Sequence, residues 1–307
     1  MLHDDVKALW MQLATPNQVV LLTRDEHVEG RWLTSLYEAL VARGVDVQVL
    51  PLSNFTKVER SWRCLVNRVS DASPASDVMI CNAVLRAAQV RGVSTINGLS
   101  CFSIGTSKML HHELFDSVGV ETPRSTIITS DMTVTQIVNA VETAGMVYPL
   151  LLKPNRGGFG KGISIISTKD AFTSKIIQEV FAHDKFAVLQ QFIENPLDGC
   201  IYRVFFLGAE VQCAVQVKAT GIDGFNTCVC SVPFKAWSCP PDIADDVKLM
   251  VEKSGADCGS VEFLYTTTEG DSNSSDPRPL YFDFNLLSTL PDKIYYDQLA
   301  EFILRDV

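Results

Sequence analysis

The stretch LLKPNRGGFGKGIS, residues 151–164, decides the fold. An apolar run ends in Lys153 and Pro154, and four glycines follow within six residues. Glycine permits positive φ and close approach of a ligand, and the N–H groups of such a loop form an anion-binding concavity. The stretch fits neither the Walker loop, because Gly162 follows Lys161, nor the dinucleotide fingerprint. It indicates a phosphate-binding loop, and a hairpin turn with basic flanks is the alternative.

Length, composition and charge limit the classes of protein. At 307 residues and 47% hydrophobic content, the chain can bury a substantial core and divide into two or three lobes. It carries 36 acidic and 26 basic residues, a formal net charge of −10. This balance argues against nucleic-acid and anionic-membrane binding, and leaves small anions held by local groups of lysine and arginine.

The cysteines and the N-terminal residues bear on the compartment. The nine cysteines are an odd set without a C-x-x-C pair, and we expect reduced thiols in an intracellular protein. The stretch MLHDDVKALWMQ has acidic residues where a signal peptide has basic ones, and no apolar run reaches transmembrane length. We expect a cytoplasmic, soluble protein that does not bind membranes.

The first hundred residues alternate between strand and helix patterns. Residues 17–23 and 46–52 are typical of buried strands, and the amphipathic stretch 31–44 lies between them and ends in glycine. A strand over 62–69, a helix near 76–91 and a strand over 93–98 continue the alternation. The pattern predicts a small parallel α/β domain.

The rest of the chain is predicted to mix helices with hairpins. The glycine-rich stretch lies between strands over 148–154 and 162–167, so it is a hairpin loop over a sheet. Helices are expected over 105–119, 131–145 and 169–182, and strands over 124–129 and 186–194. The last third is richer in strands, over 201–219, 259–266 and 279–285.

The stretch YFDFN (281–285) suggests a metal site. Alternation along a strand places Asp283 and Asn285 on one face. A carboxylate and an amide oxygen suit Mg²⁺, which is usually held by one or two carboxylates plus substrate phosphates. Glu262 supplies a further carboxylate if its strand pairs with this one. The alternative is a solvated strand face.

Five motifs taken together resemble the ATP-grasp superfamily. KPNRGGFGKG, LQQFI, YRVFF, SVEF and FDFN occur in its order and spacing, from about residue 103 to 290. The resemblance implies an α/β (α+β) fold in which two α+β lobes hold ATP between antiparallel sheets. A small parallel α/β domain over 1–102 would precede the ATP-grasp domain, 103–307. In the latter, the lid or central subdomain would cover about 120–190 and the C-terminal catalytic subdomain about 191–307.

The resemblance also assigns nucleotide contacts. Lys108 and Lys153 would contact the phosphates, because a lysine is a compact charge suited to phosphate oxygens. The lid would close over the phosphates, and the hinge would lie beside adenine, partly through backbone groups. The lid residues are Gly157, Gly158, Gly160, Lys161 and Gly162, and the hinge residues are Gln190, Gln191, Phe192 and Ile193.

Metal and catalytic roles follow from the same resemblance. Glu262, Asp283 and Asn285 would hold Mg²⁺, with Mn²⁺ as the alternative metal at the same site. Arg203 would face the transferred phosphoryl group, and the catalytic set is completed by Lys218 and Asn226, at positions of substrate and phosphate contacts.

Two histidines share the predicted helix of Lys108. His111 and His112 have no partner at metal-binding spacing. We expect one of them to be solvated and the other to be packed.

The activity implied by the resemblance is an ATP- and Mg²⁺-dependent ligase that joins a carboxylate to an amine through an acyl phosphate, releasing ADP and phosphate. Its partners would be small-molecule carboxylate and amine substrates, and a homodimer is left open. One alternative is a small-molecule kinase, since LQQFIE, YRVFFLG and the D-x-N strand also resemble inositol-phosphate kinases. Another is a nucleotide-binding regulatory protein without activity, against which Lys153, Asp283 and Asn285 weigh.

Overall fold

The described residues form two compact units. The first comprises parts of 1–70, 74–102 and 287–307, and the second comprises 71–73 and 103–286. The computed structural model describes residues 17–59, 61–70, 72–158, 160–182, 184–193, 196–219, 234–266, 277–286 and 293–305.

The first unit contains a parallel sheet of four strands. Its elements are β1 (Gln18–Thr23), α1 (Arg31–Val41), β2 (Asp46–Pro51), β3 (Trp62–Asn67), α2 (Ala75–Arg91) and β4 (Ser94–Ile96), with 3-10 turns at Asp25–His27 and Leu52–Asn54. The strand order is β2-β1-β3-β4, and the inner strand β1 is buried, with Val19 to Leu22 fully inaccessible, which explains the continuous apolar run in the sequence. The parallel α/β prediction for this part of the chain is confirmed.

The last described helix, α8 (Lys293–Arg305), belongs to the first unit. Arg43, just beyond α1, donates to Asp297 at 3.0 Å and to Glu301 at 3.1 Å. The sequence-based division assigns these residues to the second domain instead. No local pattern in α8 reveals this packing, because its partners lie about 250 positions earlier in the chain.

A short helix, α3 (Leu99–Gly105), precedes α4 (Lys108–Val118) in the chain, and the second unit comprises α4 and an antiparallel sheet that follows it. The helix predicted over 105–119 corresponds to α4, whereas α3 is absent from the sequence-based expectation. The elements of this part are β5 (Ser125–Thr129), α5 (Val134–Thr143), β6 (Leu150–Pro154), β7 (Ser164–Ile166), α6 (Ser174–Val180) and β8 (Phe186–Gln191), with a 3-10 turn at Lys169–Ala171. The antiparallel sheet has the order β5-β8-β6-β7 and packs against α5, whose first turn is stabilised by a capping box of Thr133 and Gln136.

The remaining sheet of the second unit is antiparallel. Its strands are β9 (Cys200–Leu207), β10 (Glu210–Lys218), β11 (Lys235–Trp237), β12 (Cys258–Thr266) and β13 (Arg278–Asn285), in the order β11-β10-β9-β12-β13. Two elements of this part are absent from the sequence-based expectation: the short edge strand β11, and the helix α7 (Pro241–Ser254), whose residues Ile243, Val247 and Met250 are fully buried.

Two further findings concern the expected compartment. The seven cysteines within the described ranges form no disulfide with one another. None of the helices that the structure describes has the length and the apolar run that a membrane span requires.

Gly259 in β12 allows close packing beside β13. A Cβ atom there would lie 2.3 Å from the carbonyl oxygen of Asn285 and 2.8 Å from the ring of Phe206. Since the backbone of a strand paired in a sheet cannot move aside freely, only glycine fits this position. The residue therefore helps to set the position of Asn285.

We predict that Gly259→Ala lowers the free energy of unfolding by about 1–3 kcal/mol, the usual cost of overpacking. Gly105→Ala is the comparison, because its Cβ would meet side-chain atoms, Cγ of Leu286 at 2.7 Å and Cδ1 at 2.8 Å, and no backbone atom that close. Urea denaturation of both variants measures the difference. Equal losses at the two positions would contradict the backbone explanation.

Candidate functional site

The glycine-rich stretch forms the predicted hairpin. β6 and β7 pair antiparallel, with Leu150 opposite Ile166 and Leu152 opposite Ser164. Gly157, Gly160 and Gly162 have φ values of 131°, 67° and 76°, a region that favours glycine.

The tip of this hairpin is open to solvent. Lys161 is exposed, and its N–H donates to the carbonyl of Gly158 at 3.2 Å. A Cβ at Gly162 would lie 2.9 Å from Pro154. The loop is thus shaped by turn geometry at its tip and by tight packing at its base.

Lys108, the first residue of α4, lies against this loop. Its Nζ donates to the carbonyl oxygen of Gly157 at 2.7 Å, and the Lys108 side chain is half-buried. The structure therefore brings Lys108 and the glycine loop together, as the sequence analysis expected of two phosphate-binding groups.

Asn155 connects the loop to α4, and sequence reasoning missed it. The side chain is 1% exposed, and its Oδ1 accepts from Ser107 Oγ at 3.0 Å and from the Met109 N–H at 3.1 Å. Its Nδ2 donates to Asp184 at 3.2 Å, and its carbonyl accepts from the Lys108 N–H at 2.9 Å. Asn155 thus caps the helix that carries Lys108.

Lys153 is buried at the end of β6 with only 8% of its surface exposed. Its Nζ donates to Gln190 Oε1 and lies 5.5 Å from the centre of the Phe282 ring. Burial lowers the pKa of Lys153 to about 8; the carboxylate of Asp283 acts in the raising direction and Lys108 in the lowering one. A buried cation with few partners suits an anionic ligand.

The expected hinge residues have different surroundings. Gln190 is 2% exposed and bonds Lys153. The Gln191 amide donates to the carbonyl of Val147 at 2.7 Å and accepts from its N–H at 2.9 Å. Both side chains are therefore engaged within the protein.

The other two expected hinge residues are apolar: Phe192 is 9% exposed and Ile193 is half-buried. The backbone here is also hydrogen-bonded. The N–H of Gln191 donates to the carbonyl of Arg124 at 2.7 Å, and the N–H of Phe192 donates to the carbonyl of Pro149 at 3.2 Å.

Arg203, Glu262 and Asp283 occupy one cross-strand row. Glu262 in β12 lies opposite Arg203 in β9 and opposite Asp283 in β13. Arg203 Nη2 donates to Glu262 Oε1, and both side chains are largely buried, at 15% and 7% exposure. Arg203 Nε is buried and has no hydrogen-bond partner, so Glu262 does not satisfy all the donors of this guanidinium.

Asp283 lies beside a buried histidine of α4. His111 Nδ1 is 3.1 Å from Asp283 Oδ1, but the two atoms are not aligned for a hydrogen bond, and each is without another partner. Burial raises the pKa of Asp283, but the stronger combined effect of His111, Lys108 and Lys153 holds it well below its usual range. Asp283 is therefore a carboxylate at neutral pH.

The donor set at β12 and β13 fits a hard cation in its chemistry. Asn285 Nδ2 donates to Asp283 Oδ2 at 3.0 Å, so Asp283 Oδ1, buried and without a hydrogen-bond partner, remains a candidate metal ligand. Glu262 is engaged by Arg203 on one of its oxygens. Within the described ranges no three His, Cys, Asp or Glu side chains gather in a metal-binding group, so a metal here would depend on Asn285 and on substrate oxygens as well.

β13 departs from simple alternation at this point. Glu262 pairs with Asp283 and the next residue, Phe263, pairs with Tyr281, which leaves Phe282 as the extra residue of a β-bulge. The bulge places Phe282 near Lys153 while Asp283 and Asn285 still face Glu262 and Ser260.

Of the last two expected site residues, the structure describes only Lys218. Lys218 is exposed at the end of β10, opposite Cys200. Asn226 lies outside the described residues.

Comparisons with known proteins agree with this architecture. Residues 105–227 match the model of the RimK-like ATP-grasp domain. A search of curated protein sequences finds no significant match. Similar solved structures include D-cycloserine synthetase DcsG, at a TM-score of 0.72 and 15% identity over 93% of this chain and 99% of that one.

Two further similar structures are from named organisms. A RimK domain ATP-grasp protein from Sphaerobacter thermophilus has a TM-score of 0.66 at 17% identity, over 94% of this chain and 99% of the other. D-alanine–D-alanine ligase from Bacillus anthracis, complexed with ATP, has a TM-score of 0.64 at 12% identity, over 94% and 95%.

The similar structures show that the chain has the ATP-grasp fold. The resemblance to the ATP-grasp superfamily that the motifs indicated is confirmed by the match of residues 105–227, which include Lys108, Lys153 and Arg203, to the RimK-like ATP-grasp domain.

We predict that Asn155→Ala lowers the free energy of unfolding by at least about 2 kcal/mol, since one unsatisfied buried polar group costs about 1–3 kcal/mol and several partners lose their bond. Ser107→Ala removes only one of these bonds and should cost less than about 1.5 kcal/mol. Chemical denaturation compares the two. A loss for Asn155→Ala no greater than that for Ser107→Ala would contradict the capping role.

Proposed function

We propose that this protein is an ATP- and Mg²⁺-dependent ligase that joins a carboxylate to an amine and releases ADP and phosphate. The observation that carries the proposal is the buried ammonium of Lys153 beside a glycine hairpin that also contacts Lys108. Both lysines act electrostatically on Asp283, so two cations and a carboxylate share one site. Cations for phosphate and oxygens for a metal are what MgATP requires.

In this proposal the protein's own groups bind and orient the nucleotide. Lys153 and Lys108 would donate to phosphate oxygens, and the N–H groups of the glycine loop would cover them. Asp283 and Asn285, with Glu262, would hold Mg²⁺, which neutralises charge on the phosphates when it is bound. The Lys108 ammonium has three N–H donors and uses one on the Gly157 carbonyl, so it could also donate to phosphate.

The proposed reaction has two steps. A carboxylate oxygen of the substrate attacks the γ-phosphorus, the bond between that phosphorus and the β,γ-bridging oxygen breaks, and ADP leaves. The amine then attacks the carbonyl carbon, loses a proton, and displaces phosphate to leave an amide. Phosphorylation is needed because a carboxylate is a poor acylating agent, and a closed lid keeps water from the intermediate.

Arg203 suits a role at the acyl phosphate. Glu262 fixes its guanidinium through Nη2, and its buried Nε has no hydrogen-bond partner. A guanidinium held in this way is pre-oriented for an anion, because it presents donors in a planar fork. Lys218 and Asn226 stay predicted contributors to substrate binding.

The named similar structures favour a ligase over a kinase. D-cycloserine synthetase, D-alanine–D-alanine ligase and PsnB are among them, and PsnB is described as an ATP-grasp ligase complexed with a precursor, Mg and ADP. Their identities to this chain are 12–15%, so they support the reaction class and leave the substrates open.

We expect MgATP to raise the melting temperature of the protein, because a ligand at about a hundred times its Kd stabilises a fold by about 2.7 kcal/mol. Lys153→Ala should abolish most of this shift. Lys175→Ala is the matched control, since that side chain is 83% exposed on α6 and should leave the shift intact. No shift of the unaltered protein with MgATP, MgADP or an unhydrolysable analogue would contradict nucleotide binding.

The destination of the phosphoryl group separates a ligase from a kinase. With an active acid and amine pair, found by a screen for ADP release, we expect ADP release to require both substrates and hydroxylamine to trap a hydroxamate. An acid labelled with ¹⁸O in its carboxyl group should transfer one label to inorganic phosphate, because the bridging oxygen leaves with it. A stable phosphate ester without an amine requirement would assign the protein to the kinases instead.

A further inference from the structure

The paired histidines of α4 are not placed as the sequence suggested. We expected one to be solvated, but His111 is 1% exposed and His112 is half-buried. His112 Nε2 lies 3.2 Å from Nε2 of Gln190. Gln190 is the residue that bonds Lys153, so His112 stands one side chain away from the buried ammonium.

The hydrogen-bond chemistry fixes the direction of this chain of contacts. An ammonium group only donates, so Gln190 must present its oxygen to Lys153. Reversing the amide would place two donors against each other. The Gln190 NH₂ group therefore faces His112 and also contacts Ser125 Oγ at 3.4 Å.

This direction determines the state of His112. Since Gln190 donates, His112 Nε2 must accept, and the imidazole is neutral with its proton on Nδ1. The electrostatics agree: burial lowers the pKa of His112 to about 4, with further lowering by Lys153 and His111 against an opposite effect of Asp283. At neutral pH the ring is an acceptor.

We infer that His112 is a positioning residue that orients Lys153 toward nucleotide phosphate by fixing the amide of Gln190. The inference rests on the proposed function for the phosphate role of Lys153. Gln190 is thereby assigned to the phosphate side of the site instead of the adenine hinge. Without an acceptor at His112, the Gln190 NH₂ group keeps only the 3.4 Å contact with Ser125 Oγ, so the amide whose oxygen holds the ammonium is less firmly positioned.

The functional consequence is selective. Lys153 would contact phosphate and not the nucleoside, so loss of its orientation should weaken ATP and ADP binding and spare adenosine binding. A general loosening of the fold would weaken all three ligands together. The ratio of ATP to adenosine affinity is therefore the informative quantity.

The first experiment uses the unaltered protein without any nucleotide. Two-bond ¹H–¹⁵N correlation NMR at pH 7 distinguishes the two neutral histidine tautomers from imidazolium, and the His112 signal is identified by its absence in His112→Gln. We expect an unprotonated Nε2 and a protonated Nδ1. A proton on Nε2, in either the other tautomer or imidazolium, would overturn the inferred direction of the hydrogen bonds.

The second experiment compares two variants by calorimetry. His112→Gln places an amide oxygen near the former Nε2 and can still accept from Gln190, whereas His112→Leu cannot. We expect His112→Leu to weaken MgATP binding about tenfold, equivalent to about 1.4 kcal/mol, with less than about twofold change for adenosine. His112→Gln should recover affinity to within about threefold of the unaltered protein.

The outcomes separate the inference from the proposed function. Equal losses for MgATP and adenosine, or no recovery in His112→Gln, would overturn the positioning role. Failure of the unaltered protein to bind any nucleotide would overturn the proposed function and with it the phosphate role of Lys153. The tautomer measurement does not depend on nucleotide or on the folding of His112→Leu, and it decides the hydrogen-bond chain in either case.

Discussion

Burial of one ammonium group constrains the whole site. Lys153 has 8% of its surface exposed, and a charge removed from water must be compensated by polar partners. The compensation comes from elements far apart in the chain: the Gln190 oxygen on β8, the Phe282 ring on β13 and the charge of Asp283. These elements must be brought together for Lys153 to remain charged, and the space beside it then suits an anion.

The negative charges of the two carboxylates in the site are likewise compensated by nearby basic groups. Glu262 is paired with Arg203, and Asp283 lies among His111, Lys108 and Lys153. A buried ion pair gains little net stability, because desolvation offsets the attraction, so its presence is better explained by the placement of charge. In the proposed reaction these placed charges receive a polyanionic nucleotide and a divalent cation together, which preserves the local balance.

Local patterns in the sequence predicted those parts of the site that are local. Four glycines in six residues indicate a loop that needs positive φ, and three of them have it. Alternation in YFDFN places Asp283 and Asn285 on one face of the strand. Pairing of β12 with β13 then brought Glu262 opposite Asp283, as expected if the strands were neighbours. The bulge at Phe282 leaves Asp283 and Asn285 on the same face, because Phe282 precedes both residues and does not lie between them.

The parts that the sequence did not reveal depend on distant partners. Asn155 looks like one more loop residue, yet it bonds Ser107 and Met109, 48 and 46 positions earlier. His112 and Gln190 meet across 78 positions, and no periodicity in either segment indicates the contact. The resemblance assigned Gln190 to the hinge beside adenine. In the structure its side-chain oxygen accepts from Lys153 instead, a contact that depends on the pairing of two strands. The expected roles of Lys218 and Asn226 stay predictions.

The most direct test of the account is a crystal structure of the protein with Mg²⁺ and an unhydrolysable ATP analogue. The account predicts phosphate oxygens within hydrogen-bond distance of Lys153 Nζ, the glycine loop over them, and the metal between those phosphates and the oxygens of Asp283 and Asn285. A nucleotide bound elsewhere, or bound in this site with its phosphates directed away from Lys153, would contradict it.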